Sequence, residues 1–131
     1  MTSKNIDIVR EYFQAVQQGD LGKVGELLDE GVVWHQPGAN RFSGEHKGRD
    51  AVFAMLGGMM EASQGSFAID SVHALMDNGD TVAASIHFAG RREDASMSME
   101  GVDVLRLRDG KIVEVWLFSG DQVAEDAFWG Q

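Results

Sequence analysis

Asp103 is the residue whose position in the sequence most suggests chemistry. It lies between Gly101 and Leu105 on the apolar face of a predicted strand. A carboxyl group buried away from any cation resists ionisation, because burial disfavours its charged form. Such a neutral carboxyl can donate a hydrogen bond to an oxyanion that develops during a reaction. The alternative is a structural aspartate that bonds a backbone amide or a serine.

Three further polar residues could act with Asp103. Tyr12, the only tyrosine, lies beside the apolar stripe of the first predicted helix, and its hydroxyl needs a partner if the ring is buried. Gln36 shares a strand face with Trp34 and can bind a polar ligand atom, but it cannot abstract a proton. His35 could act as a base, although strand alternation places it on the opposite face.

The composition excludes several common kinds of site. The chain has no cysteine, which rules out disulfides, thiolate zinc sites and cysteine nucleophiles. Its four histidines show no metal-binding spacing, and no G-x-S-x-G sequence indicates serine-hydrolase chemistry. We therefore expect neither a metal nor a cofactor.

Length and charge limit the expected partners. The 131 residues suit one domain, residues 1–131, that is large enough to bury a core. The net charge of −10 repels phosphate backbones, so no nucleic acid is expected. No apolar stretch approaches the ~20 residues that cross a bilayer, and the N-terminus does not resemble a signal peptide. We expect a cytoplasmic protein that does not bind membranes.

The first half of the chain has the hydrophobic period of helices. One helix is predicted over Asn5 to Gln18, a short second helix after the N-cap Asp20, and a third from about Arg49 to Ala62. A strand is predicted over Gly31 to Gln36, and the polar, glycine-bearing stretch from Gly38 to Gly48 is predicted to be a loop.

The second half has the two-residue period of strands. Phe67 to Met76 and Thr81 to Phe88 flank an Asp-Asn-Gly-Asp turn, and Ser96 to Arg108 and Lys111 to Ser119 flank an Asp-Gly turn. Helices followed by hairpins indicate an α+β fold with an antiparallel sheet.

The loop length of the last hairpin decides which side chains share a face. A two-residue loop pairs Leu107 with Ile112 and places Glu114 among leucines, which is costly unless Glu114 finds a partner. A three-residue loop with Gly110 as a left-handed bulge pairs Leu107 with Lys111 instead. We favour the three-residue loop because it creates one apolar face. That face carries Asp103, Leu105, Val113, Val115 and Leu117.

The opposite face of the same hairpin combines aromatic and charged side chains. Trp116 and Phe118 lie there beside Arg106 and Glu114. Exposed aromatic residues among charges are typical of a subunit interface, so we expect a homodimer through this outer sheet face.

Six segments together resemble a known superfamily over nearly the whole chain. They are Tyr12–Val16, Gly19–Leu21, Trp34–Pro37, Gly48–Val52, Val102–Arg106 and Asp109–Glu114. In these the chain resembles the nuclear transport factor 2-like superfamily, in its SnoaL-like and ketosteroid isomerase branches. The resemblance implies a cone-shaped barrel, in which a curved antiparallel sheet and three N-terminal helices enclose an apolar pocket. It also implies a homodimer through the sheet.

The resemblance further implies roles for individual residues. Tyr12 and Asp103 match the tyrosine and the neutral aspartic acid of the oxyanion hole in ketosteroid isomerases. Gln36 matches the base of that family, which is an aspartate before a proline. SnoaL-like cyclases use a histidine and an aspartate where this chain has Asp103 and Leu117. The arginine-bridged carboxylates of limonene-type epoxide hydrolases are also missing from this sequence.

Three functions remain open at this point. An enzyme for a small apolar carbonyl compound, such as an isomerase, cyclase or dehydratase, would bind an enolate-like oxygen through Tyr12 and Asp103. Its proton would move through His35, through Asp121 or through the substrate itself. A pocket for that substrate would be formed by Trp34, Gln36, Phe53, Leu56, Val115 and Leu117. The alternatives are a non-catalytic binding module with the same pocket and a dimeric interaction module.

Overall fold

The computed structural model describes residues 3–131, which form four helices and six strands. The helices are α1 (Lys4–Gln18), α2 (Leu21–Leu27), α3 (Arg49–Ala62) and α4 (Gln122–Trp129). The strands are β1 (Leu28–Gln36), β2 (Gly44–Lys47), β3 (Ala68–Asn78), β4 (Thr81–Arg92), β5 (Ala95–Arg108) and β6 (Lys111–Ser119). None of these helices is both long and apolar enough to cross a membrane.

Short local contacts fix the ends of the first two helices. The Ser3 hydroxyl accepts a hydrogen bond from the amide of Ile6, at 3.0 Å, and caps α1. Gly19 ends α1 with a φ of 70°, a left-handed conformation that glycine adopts without strain. Asp20 then caps α2 through the amide of Lys23, at 3.1 Å. These caps define where the two helices begin and end, and the buried residues of α1 pack towards the sheet.

The six strands form one curved sheet in the order β2-β1-β6-β5-β4-β3. Neighbouring strands are antiparallel, except that β1 and β6 run parallel. The edge strands β2 and β3 do not pair with each other, so the sheet is open and is not a closed barrel. Helix α1 packs on β3, α3 packs on β1 and β2, and α4 packs on β5. The helices therefore pack against both edge strands and the middle of the open sheet. The predicted α+β class is confirmed.

Part of the predicted loop from Gly38 to Gly48 is a strand. β2 lies within it and pairs with β1, with Gly44 opposite Gln36 and Lys47 opposite Val33. All but one of its four residues are exposed, so β2 carries no apolar alternation that the sequence could show.

The last hairpin has a two-residue turn, and the predicted three-residue loop is wrong. Both residues of the Asp109–Gly110 turn have positive φ, 52° and 79°, as a type I′ turn requires. Leu107 therefore pairs with Ile112. A bulge then shifts the pairing by one residue, so that Leu105 lies opposite Val115. The bulge produces the apolar face for which the longer loop had been favoured.

Candidate active site

A cavity of about 80 Å³ lies between the helices and the inner face of the sheet. Most of its wall is apolar and includes Trp34, Leu56, Met59, Ile86, Phe88 and Leu117. A few polar side chains also line it, namely Tyr12, Gln36, Asp103, Ser119 and Glu125. An apolar cavity with a small number of convergent polar groups is the usual form of a small-molecule site.

Asp103 is buried in the middle of β5, with 3% of its surface exposed. It lies opposite Leu117 on β6 and Ala84 on β4, so its strand neighbours are apolar. Burial raises the pKa of its carboxyl from 3.8 to about 7, and the negative charge of Glu125 adds to the rise. A substantial fraction of the carboxyl therefore keeps its proton near neutral pH and can donate a hydrogen bond.

Tyr12 projects from α1 into the same cavity and is also 3% exposed. Burial raises the pKa of its hydroxyl far above the usual value, and the charge of Asp103 raises it further. The hydroxyl therefore remains a hydrogen-bond donor throughout the ordinary pH range. Its ring packs edge-on against Phe13, with ring centroids 5.1 Å apart, which fixes the direction of the hydroxyl.

Neither donor is used by the fold. Within residues 3–131, neither the Tyr12 hydroxyl nor the Asp103 carboxyl has a hydrogen-bond partner, and neither is sealed off from the cavity. The structural alternative for Asp103, a bond to an amide or a serine, is thus not what the structure shows. Both groups instead face the cavity, where their polar atoms are accessible to a ligand.

Gln36 is oriented by its neighbour on the strand. Its Oε1 accepts a hydrogen bond from Nε1 of Trp34, at 3.0 Å. Because an indole nitrogen can only donate, the oxygen of the amide must be the atom that faces Trp34. The amide nitrogen of Gln36 has no partner among the described residues, so a third donor borders the cavity.

Glu125 of α4 is a cavity residue that the sequence analysis missed. Its carboxylate accepts hydrogen bonds from Ser119 Oγ at 2.6 Å, Gln122 Nε2 at 3.0 Å and Trp129 Nε1 at 3.2 Å. Glu125 is only 3% exposed, and these three donors satisfy its buried carboxylate and fix its position. The available signal was spacing: Glu125 lies three and four residues before Phe128 and Trp129, on the buried face of α4.

His35 is placed away from Tyr12 and Asp103, as its strand parity indicates. Its Nε2 lies 2.7 Å from a carboxylate oxygen of Glu114, and its ring stacks on Trp116 with centroids 5.5 Å apart. Both neighbours belong to the outer face of the sheet. Asp121 is exposed and caps α4 through the amide of Ala124. Neither of these proposed proton carriers lines the cavity.

The predicted pocket residues divide into two groups. Four of them line the cavity, namely Trp34, Gln36, Leu56 and Leu117. Val115 is fully buried in the core beside it. Phe53 lies on the other side of Leu56, in an external groove between α2 and α3.

Residues 9–115 match the family model of the SnoaL-like domain. The chain belongs to the SnoaL-like family. A solved protein of unknown function with a cystatin-like fold, from Xanthomonas campestris, is 49% identical with a TM-score of 0.94, over 97% of this chain and 98% of that one. An uncharacterised protein of Mycobacterium tuberculosis is 25% identical over 95% of each chain. IdmH, a candidate polyketide cyclase from Streptomyces antibioticus, shares the fold at 22% identity and a TM-score of 0.75, over 96% of this chain and 98% of that one.

The outer sheet face of this SnoaL-like protein carries a separate hydrogen-bond network. Asp70 Oδ1 lies 2.6 Å from His87 Nδ1, and Ser98 Oγ lies 2.9 Å from His87 Nε2. This is the order of contacts in a serine-hydrolase triad. Asp70 and Ser98 are exposed, however, and neither Ser98 nor His87 lines the cavity. Because these contacts join surface side chains of three strands, the network is best described as a surface cross-link between β3, β4 and β5.

Proposed function

We propose that this SnoaL-like protein binds a small apolar carbonyl compound and stabilises its enolate form, as a cofactor-independent isomerase, cyclase or dehydratase does. The observation that carries the proposal is the pair of donors, Tyr12 and Asp103, which share one apolar cavity and have no hydrogen-bond partner among residues 3–131. A carbonyl oxygen between them would accept a hydrogen bond from each.

The apolar wall strengthens this interaction where charge develops. As an enolate forms, negative charge accumulates on the carbonyl oxygen, and donors already in place stabilise that charge without reorganising. The effective dielectric constant in an apolar cavity is low, so each hydrogen bond to the oxyanion counts for more than it would in water. The free amide nitrogen of Gln36 offers a further contact to a polar atom of the ligand.

We assign the removal of the proton to Glu125. It is the carboxylate besides Asp103 in the cavity wall, and its three hydrogen bonds hold it in one orientation. In the reaction, Glu125 takes a proton from the carbon next to the carbonyl, and the electron pair of that C–H bond becomes the enolate double bond. Return of the proton to a different carbon isomerises the substrate. Attack of the enolate carbon on a second carbonyl instead closes a ring, and the alkoxide formed from that carbonyl takes the proton from Glu125.

Deuterium exchange tests this function without knowledge of the natural substrate. Small cyclic ketones and enones are incubated with the protein in D₂O, and loss of the α-proton signal is followed by NMR. We expect the wild type to accelerate exchange for at least part of the panel. Tyr12→Phe and Asp103→Ala should each lower the rate about 100-fold, the usual cost of one oxyanion donor, and Glu125→Gln should abolish exchange.

The control for this experiment is His35→Gln, which changes a titratable group on the outer face of the sheet. We expect its exchange rate to equal that of the wild type. If the wild type exchanges no compound of the panel faster than the uncatalysed rate, the enzymatic proposal is contradicted. Full activity of the Glu125→Gln variant would contradict the role assigned to Glu125.

A second candidate is a non-catalytic binding module that uses the same donors. The observation that favours it is that three protein donors already bind the Glu125 carboxylate, as they would bind a carboxylate whose role is structural. Ligand binding that depends on Tyr12 and Asp103, without any exchange by the wild type, would identify this function.

We further propose that two copies associate through the outer sheet face. Val102 and Phe118 lie opposite each other on β5 and β6 and are 39% and 58% exposed. Trp116 lies beside them with one side of its ring covered by His35. Large apolar side chains side by side on an open sheet face are typical of an interface.

A further inference from the structure

An apolar groove of about 450 Å³ lies on the surface between α2 and α3. Its walls are formed by Leu21, Gly22, Phe53, Leu56, Gly57 and Met60. Leu21 is 63% exposed and Met60 is 42% exposed, although both are large apolar residues. A compact group of such side chains around a concavity indicates a binding surface rather than scattered surface hydrophobicity.

Leu56 connects this groove with the inner cavity, because its side chain lines both. The inner cavity, at about 80 Å³, is several times smaller than the roughly 300–1,000 Å³ of typical small-molecule pockets. It has room for the head of a ligand but not for a large apolar body. The groove provides that additional space, and Leu56 is the residue that the linings of the two share.

We propose that the groove holds the apolar tail of the ligand whose carbonyl head binds between Tyr12 and Asp103. Leu56 is then the gate through which the ligand passes, and the substrate class is an elongated carbonyl compound with a hydrocarbon tail. This inference rests on the proposed oxyanion site and extends it to the shape of the ligand. It makes Gly57 a specificity-determining residue, because the absence of a side chain there keeps the groove open.

The geometry at Gly57 allows a clean test. A Cβ atom added at this position meets no atom within 4 Å, and Gly57 lies in helix α3 without a positive φ. Gly57→Leu therefore places its Cβ in open space and adds a side chain at the wall of the groove, and leucine is also a better helix former than glycine. Gly57→Ala serves as the matched control, because it improves the helix but leaves most of the groove empty.

The experiment measures binding of 4-alkylphenols whose tails grow from none to six carbons. Phenol itself tests the head site alone. In the wild type, affinity should rise about fourfold for each methylene that becomes buried. In Gly57→Leu the rise should stop after the first one or two carbons, while the affinity for unsubstituted phenol stays within twofold of the wild type. Gly57→Ala should keep most of the rise.

Two outcomes would overturn the inference, and they can be told apart from failure of the head site. If phenol binds in a Tyr12-dependent way but affinity does not increase with tail length, the groove does not hold the tail. The same conclusion follows if Gly57→Leu leaves the increase unchanged. If phenol does not bind, or binds equally well to Tyr12→Phe, the oxyanion site itself is absent, and the inference fails with it.

Discussion

The buried carboxyl of Asp103 opposes folding whenever it must ionise. Its pKa is raised from 3.8 to about 7 in the folded chain, so the unfolded chain releases the proton more readily. The stability associated with this group is therefore fully present below about pH 4 and is lost as pH rises towards 7. A residue that destabilises the fold at neutral pH, and that bonds no described residue, is typical of a functional site.

Asp103→Asn should remove this pH dependence. One pH unit between the folded and unfolded pKa values corresponds to about 1.4 kcal/mol, so the wild type should lose roughly 3–4 kcal/mol through this group between pH 4 and pH 8. Urea unfolding at a series of pH values measures the change. We expect the stability of the variant relative to the wild type to grow by several kcal/mol over that range. A constant difference would mean that Asp103 ionises as easily in the fold as in water.

Tyr12 and Asp103 could be placed from the sequence, whereas Glu125 could not. The first two interrupt clear patterns, a helical apolar stripe and an alternating strand, and both patterns point inward. Helix α4 has only eight residues, so the spacing of Glu125 to Phe128 and Trp129 covers about one turn and is a weak sign that Glu125 faces the core. The sequence instead suggests His35 and Asp121 as proton carriers, and the structure places both outside the cavity lining.

The inward-facing residues of β3 do not follow the two-residue alternation of a regular strand. Its inward residues are Ile69, Val72 and Leu75, three residues apart, as in a helix. The pairing with β4 shifts twice, between Ile69 and Ser71 and between Val72 and Ala74. Each bulge adds one residue to the outer face, which changes the period of two into a period of three. The same bulges bring Asp70 to His87 on the outer face.

The two hairpins could be predicted because each has a local turn signal in the sequence. Pairings between strands that are distant in the sequence could not be predicted. Both glycine-containing turns connect the strands that the sequence indicated. The parallel pairing of β1 with β6 joins residues about 80 positions apart and has no local signal. It is this pairing that sets the order of the sheet and leaves it open between β2 and β3.

The whole molecule carries a net charge of −10, which affects how two copies could meet. Like charges repel at long range, so association through an apolar face should be weaker at low salt and stronger as salt screens the repulsion. The proposed interface around Val102, Trp116 and Phe118 combines an apolar centre with an ion pair between Arg106 and Glu114, 3.1 Å apart.

Val102→Glu should make the protein monomeric at micromolar concentration. The change places a charge opposite Phe118, at the centre of the proposed interface, and leaves the cavity untouched. Val123→Glu is the control, because Val123 is 82% exposed on α4 and lies outside that face. Sedimentation measures the mass of each variant. A monomeric wild type, or equal behaviour of both variants, would contradict the interface.

The central claim is that Tyr12 and Asp103 form a site for an oxyanion, and binding of phenols of graded acidity tests it most directly. At pH 6, affinity for the wild type should increase with phenol acidity. A more acidic phenol carries more negative charge on its oxygen when it is bound, and this charge strengthens the hydrogen bonds from the two donors. Tyr12→Phe and Asp103→Ala should each lower affinity for the most acidic phenol about tenfold or more. Wild-type affinity should also fall above about pH 7, where Asp103 loses its proton. Affinity that is indifferent to acidity and to both substitutions would show that the cavity holds no oxyanion site.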